Sequence, residues 1–169
     1  MNSITSWVAA PILAFMLPAA QAAALAGRVV GVHDGDTITV LDANRIQYKI
    51  RLAGIDAPEL KQSFGSRSKQ NLSSLVYNRQ VTVQWEKHDR YGRTVGVILI
   101  DGRDVNLEQV RFGMAWWYRQ YAKDQRPEDR RLYEAAENEA RTTKRGLWSD
   151  ANPVPPWEFR HKKRTTPRH

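Results

Sequence analysis

The stretch that most constrains this chain is Ile46 to Leu52, where Ile46, Tyr48, Ile50 and Leu52 alternate with Gln47, Lys49 and Arg51. A period of two is that of a half-buried strand with an apolar and a polar face, and it does not fit the 3.6-residue period of a helix. The strand carries Arg51 on its polar face and runs on into Ala53-Gly54-Ile55-Asp56-Ala57-Pro58-Glu59. Pro58 keeps the residue before it extended and stops regular pairing, so Asp56 and Glu59 flank a rigid corner. Four more runs have strand character: Arg28 to Val32, Thr37 to Leu41, Val81 to Glu86 and Thr94 to Ile100.

The turns between these runs hold the chemistry. Asp34-Gly35-Asp36-Thr37 joins the first two as a hairpin. Asp-Gly alone suffices to make such a turn, but Asp36 then projects from the start of a strand. Asp89-Arg90-Tyr91-Gly92-Arg93 joins the last two runs, and Arg93 there is either an ordinary hairpin charge or an anion ligand. Taken singly, Asp56 as a turn cap and Glu59 as a solvated loop acid are equally open. The recurrence of the same residue types at successive strand ends favours one shared site. Carboxylates are hard oxygen ligands for a divalent cation, and planar guanidinium forks match phosphate oxygens. Together they are the parts needed to cleave a phosphodiester. His33 and His88 lie beside loop carboxylates and read as solvated turn residues.

Composition agrees with that chemistry. The 169 residues suffice for one domain with a real core, and a net charge of +8 calls for an acidic partner, with nucleic acid the leading candidate. The absence of cysteine excludes thiolate metal sites and thiol catalysis, and leaves the fold to its core alone. No charged side chain precedes Arg28, and Trp7 to Ala20 is an apolar run too short to span a bilayer comfortably. With small-x-small patterns at Ala20-Gln21-Ala22 and Ala22-Ala23-Ala24, residues 1–23 are expected to be a secretory signal, with an uncleaved anchor as the alternative. The expected location is periplasmic or extracellular, with no stable membrane span once the signal is removed. The domain is expected over 26–150. Residues 151–169, with Pro153, Pro155, Pro156 and the run Arg160 to Arg164, are expected to be an irregular basic tail outside the site.

Helical spacing is found over Ser66 to Tyr77, with Ser66 as a plausible N-cap, over Val105 to Phe112 ending at Gly113, and over Pro127 to Thr143. Met114 to Tyr118 is rich in aromatics, which either pack in the core and its rim or form a stacking platform for bases with Tyr118 at its end.

In the order D-G-D-T, R-L-x-G-I-D-A-P-E and D-R-Y-G-R, the chain resembles the staphylococcal nuclease (thermonuclease) family from about Val29 to Trp148. The resemblance implies an α+β fold dominated by β, a five-stranded OB-type Greek-key barrel with about three flanking helices. It implies Ca2+ held by Asp36, Asp56 and the backbone carbonyl of Ala57, Glu59 as the general base for the attacking water, and Arg51 and Arg93 as phosphate clamps. Arg90 and Tyr91 match positions that line the nucleotide site. Tyr121 matches a nucleotide-contacting tyrosine, whereas Arg119 stands where the family archetype has another tyrosine. The segment from Glu59 to Gly65 is also shorter than in the archetype. The implied activity is that of a monomeric, calcium-dependent endonuclease on DNA and RNA with little sequence preference, giving 3′-phosphates. A non-catalytic OB module that only binds nucleic acid is the alternative.

Overall fold

The computed structural model describes residues 23–165. The expected secretory signal falls almost entirely outside them. Five strands form the barrel: β1 (Ala23–Val32), β2 (Thr37–Leu41), β3 (Gln47–Leu52), β5 (Gln80–His88) and β6 (Thr94–Ile100). A two-residue β4 (Ile55–Asp56) lies between β3 and β5, and β7 (Arg103–Asp104) extends the edge of β6. Neighbours pair antiparallel in the order β3-β2-β1-β5-β6, and a parallel pairing of β3 with β6 closes the barrel. Closure removes the free edges that an open sheet of this size would expose.

Alternation fills the interior. Ile38 and Val40 from β2, Ile50 and Leu52 from β3, and Ile98 and Ile100 from β6 are buried, as are Val29 and Val83. Ile46, expected on the apolar face of the β3 run, is instead 51% exposed. Its amide donates to Asp42 Oδ1 in the turn before β3, so pairing begins one residue later, at Gln47.

The three expected helices are α1 (Gly65–Val76), α2 (Val105–Arg111) and α3 (Pro127–Thr142). Ser66 does not cap α1. The cap position is Phe64, with φ 65°, and no side chain bonds the first-turn amides. In α2, Asp104 accepts from the Leu107 amide as a true N-cap. A short β8 (Trp116–Trp117) pairs with β4, holding the Asp56 corner between the barrel and α3.

The segment expected to be irregular departs most from the sequence reading. Residues 156–165 form a further helix, α4 (Pro156–Thr165), entered through the prolines that suggested an irregular tail. Proline is compatible with the first turn of a helix, where its missing N–H has no intrahelical acceptor. Packing supplies what composition lacked, because Trp157 lies against the buried cluster of Trp116, Ala140, Leu147 and Trp148.

Candidate active site

The site forms where β2 begins and β3 ends. Asp34 Oδ1 accepts the Asp36 amide at 3.0 Å, an Asx turn that fixes the bend, and Thr37 then opens β2. The Asp36 carbonyl accepts the Leu52 amide at 2.8 Å, joining this bend to the end of β3. A Cβ on Gly35 would lie 1.8 Å from Ser68 Oγ and 2.7 Å from Ala57 Cβ, so only glycine lets the bend approach α1 and the Asp56 corner.

Asp36 and Asp56 are brought together, both buried, at 6% and 1% exposure. Arg51 Nη2 lies 3.2 Å from Asp36 Oδ2 and 3.0 Å from Asp56 Oδ1, so one nitrogen bridges the two carboxylates. The Ala57 amide donates to Asp36 Oδ2 at 2.7 Å, tying the predicted third ligand residue to the first. Burial pushes the Asp36 carboxyl up to about 6, against the opposing pull of Arg51. Burial also raises Asp56, despite hydrogen bonds and charge from Arg160 and Arg51. Two buried acids with raised pKa values form a site that a bound cation would stabilise in its ionised form.

No three His, Cys, Asp or Glu side chains converge as a metal cluster among the described residues. The candidate donors are therefore two carboxylates and the backbone oxygens beside them, with Arg51 and Arg160 as the cations that occupy the carboxylates in this structure. These oxygens are all hard ligands, and they fit Ca2+ or Mg2+ rather than a softer metal.

Glu59 follows the corner in a tight turn. Its carbonyl accepts the Gln62 amide at 2.8 Å, and its own amide donates to Gln62 Oε1 at 3.2 Å. A Cβ on Gly65 would meet the Glu59 carbonyl oxygen at 1.9 Å, so the short 59–65 connection depends on glycine at its end. Arg93 lies on the hairpin before β6. The parallel register sets Ile50 against Thr94 and Arg51 against Val95, placing Arg93 on the same outward face as Arg51. Asp89 accepts the Arg93 amide and, at 2.7 Å, its Nε, which leaves both Nη groups for an anion. Burial alone would raise the Asp89 carboxyl, but these hydrogen bonds and charge from Arg93 hold it below the usual range.

The predicted substrate-binding residues fall into two groups. Arg90 and Tyr91 are exposed at the tip of the β5–β6 hairpin, where Arg90 Nη2 donates to the Tyr91 hydroxyl at 2.7 Å. Tyr118 and Tyr121 meet edge-on at 5.2 Å, and Lys87, near the end of β5, lies 5.4 Å over the Tyr121 ring. Burial raises the Tyr118 phenol, and the negative charge of Asp56 adds to it. Arg119, the departure from the archetype, is a structural residue: it pairs with buried Glu137 at 2.7 Å and lies 4.5 Å over the Trp117 ring. His33 and His88 stay on the surface, each within hydrogen-bond distance of a threonine hydroxyl.

Several residues that matter to the site were not singled out from the sequence. Gln109 Nε2 donates to the Gly35 carbonyl at 2.7 Å, and Asn106 Nδ2 donates to the Ala53 and Gly96 carbonyls at 3.0 and 3.1 Å. Both are fully buried on α2 and brace the two loops that carry Asp36 and Asp56. Their signal was present: polar amides recur at helical spacing among Val105, Leu107 and Val110. Arg160 is a correction instead: expected in a basic tail outside the site, it lies on α4 and its guanidinium reaches Asp56 and Glu59.

A closed OB-type barrel with buried carboxylates and arginines at one end defines a phosphodiester-directed site. The profile of the family described as staphylococcal nuclease homologue matches residues 49–150. The chain is 50% identical over 138 residues to an uncharacterized endonuclease of Escherichia coli O157:H7, covering 81% of this chain and 86% of that protein. It is 46% identical over 143 residues to a micrococcal nuclease of Shigella flexneri, covering 79% of each. Protein ParB of Escherichia coli is 43% identical over 162 residues, covering 90% of this chain and 89% of that protein. The chain belongs to the staphylococcal nuclease homologue family, a family of phosphodiester-hydrolysing nucleases.

Proposed function

We propose that the chain is an exported, monomeric, calcium-dependent endonuclease that hydrolyses both DNA and RNA with low sequence specificity and leaves 3′-phosphates. The observation that carries this reading is the convergence of buried Asp36 and Asp56 on one Arg51 nitrogen. A surface that merely binds polyanions does not need two acids buried at its centre.

Asp36 and Asp56, with the Ala57 carbonyl, are the residues that would hold calcium, which when bound polarises a phosphoryl oxygen and offsets developing negative charge. Glu59 takes the proton of the attacking water. Arg51 and Arg93 donate hydrogen bonds to the non-bridging phosphate oxygens, and their interaction strengthens as charge builds on those oxygens in the transition state. Arg90, Tyr91, Tyr118 and Tyr121 bind the flanking nucleotides, by charge and by aromatic contact, with exposed Tyr91 and Tyr121 offering ring faces and Tyr118 already stacked on Trp157. Such contacts favour no particular base, in keeping with low specificity.

The test is digestion of single-stranded DNA, duplex DNA and RNA by the chain without its first 22 residues, across a series of divalent ions and with chelator. Cleavage of all three with calcium, lost with chelator, is expected. Tight binding without cleavage under every ion would leave the binding-module reading standing instead.

A further inference from the structure

The C-terminal helix brings a third arginine to the carboxylates. Arg160 Nη1 donates to Asp56 Oδ1 at 3.2 Å and to Glu59 Oε1 at 2.9 Å, while Nη2 donates to Asp56 Oδ2 at 2.7 Å. This is not a surface side chain that happens to find an acid. Trp157, one turn earlier on α4, stacks on Tyr118 at 5.4 Å with the rings 26° apart, and meets Trp116 edge-on at 6.4 Å. Gln62, from the turn that carries Glu59, donates to the Val154 carbonyl just before the helix. The start of α4 is thus fastened on two sides of the site, and Arg160 enters from a fixed position.

The two acids it joins need it to different degrees. Asp56 is deeply buried and already paired with Arg51. The Glu59 side chain is 42% exposed, and its carboxylate has no hydrogen-bond partner other than Arg160 among the described residues. Without that contact a glutamate on a turn would sample several rotamers, and few of them would aim at a water beside the phosphate. With Oε1 held by Arg160, Oε2 is left to accept a proton.

We propose that Arg160 is a positioning residue for phosphodiester cleavage: its guanidinium bridges Asp56 and Glu59 and fixes the Glu59 carboxylate relative to the metal-binding carboxylate. The proposal rests on Glu59 being the general base. It requires the planar fork, because one lysine ammonium cannot reproduce the paired contacts to Asp56 together with the reach to Glu59.

The experiment is a double-mutant cycle in the chain without its first 22 residues, using Arg160→Gln, Glu59→Gln and the pair. It is read as kcat and KM on a dinucleotide substrate at saturating calcium, with calcium binding followed separately by titration calorimetry. Arg160→Gln is expected to lower kcat by about 10- to 100-fold, within the range general-base contributions span, with little change in KM. In the Glu59→Gln background the same change should cost little further, since its target is gone. Calcium should bind Arg160→Gln at least as tightly as the parent, because a competing cation has left Asp56. Arg160→Lys should restore only a small part of the lost kcat, and it serves in the cycle should the glutamine variant fail to fold.

An equal loss in both backgrounds, weakened calcium binding, or a rise in turnover would each overturn the proposal. The last would make Arg160 a plug on the site instead. If Glu59→Gln itself turns over normally, the general-base reading falls and the proposal with it. If Glu59→Gln is slow but Arg160→Gln is not, the positioning role alone falls.

Discussion

Arg160 and Asp56 lie 104 residues apart in sequence, yet the guanidinium of one grips both oxygens of the other, at 3.2 and 2.7 Å. Truncation therefore has a different meaning from the loss of a charged tail. A chain ending at Pro155 should cut a dinucleotide more slowly, not only long DNA, because it loses a contact to Glu59 as well as positive charge. Steady-state rates on both substrates distinguish the two: slowing confined to long DNA would mean that α4 acts through charge alone.

Glu59 and Asp36 should separate cleanly on mutation. Glu59→Gln is expected to lower turnover by about 10²-fold or more while calcium still binds. Asp36→Ala removes a carboxylate assigned to the proposed calcium and should weaken calcium binding itself. Calorimetric titration beside single-turnover rates checks both, and normal turnover in Glu59→Gln would remove it from the mechanism.

The arginines should not tolerate lysine. Arg51→Lys keeps the charge but loses the nitrogen shared by Asp36 and Asp56, and Arg93→Lys loses the fork that leaves two Nη groups free. Each is expected to retain less than about a tenth of parental turnover. Asp89→Ala should resemble a milder Arg93 variant, since Asp89 orients that side chain.

Asp36 should make the metal-free protein more stable as the pH falls from 7 towards 5, against an opposing contribution from His33, whose pKa burial lowers. Burial raises the Asp36 carboxyl to about 6 in the folded state, above its ordinary value, so the folded form binds more protons than the unfolded form in that window. Stability contributed by protonated Asp36 is complete below its ordinary value of 3.8 and is lost as the pH rises through about 6. Melting with chelator should show Tm a few degrees higher at pH 5 than at pH 7, about what 1 kcal/mol is worth in a domain of this size. Asp36→Asn should flatten the trend.

Glu137 should matter for stability more than for chemistry. It is fully buried, accepts the Trp117 amide at 3.1 Å and pairs with Arg119 at 2.7 Å. Glu137→Ala leaves that amide without an acceptor, a loss of about 1–3 kcal/mol, to be read from urea unfolding. A cost near zero would mean that water replaces the carboxylate.

The sequence by itself determined what depends on short-range pattern. Alternation marked β2 and β6 to the residue and β3 to within one, because strand period is a local property. The Asp-Gly turn and the Asp56-Ala57-Pro58-Glu59 corner exposed the acids, because turn chemistry is also local. Tertiary structure decided the rest. Only barrel closure, the parallel pairing of β3 with β6, sets Arg93 on the same face as Arg51. Only burial distinguishes Gln109 and Asn106, which brace the site loops, from other polar residues on a short helix. Residues 151–169 read as an irregular basic tail because proline and a basic run give no internal reason to fold, yet Pro156–Thr165 form a helix. That reason is external: Trp157 finds Tyr118 and Trp116, and Arg160 finds two acids that are more than a hundred residues away in sequence.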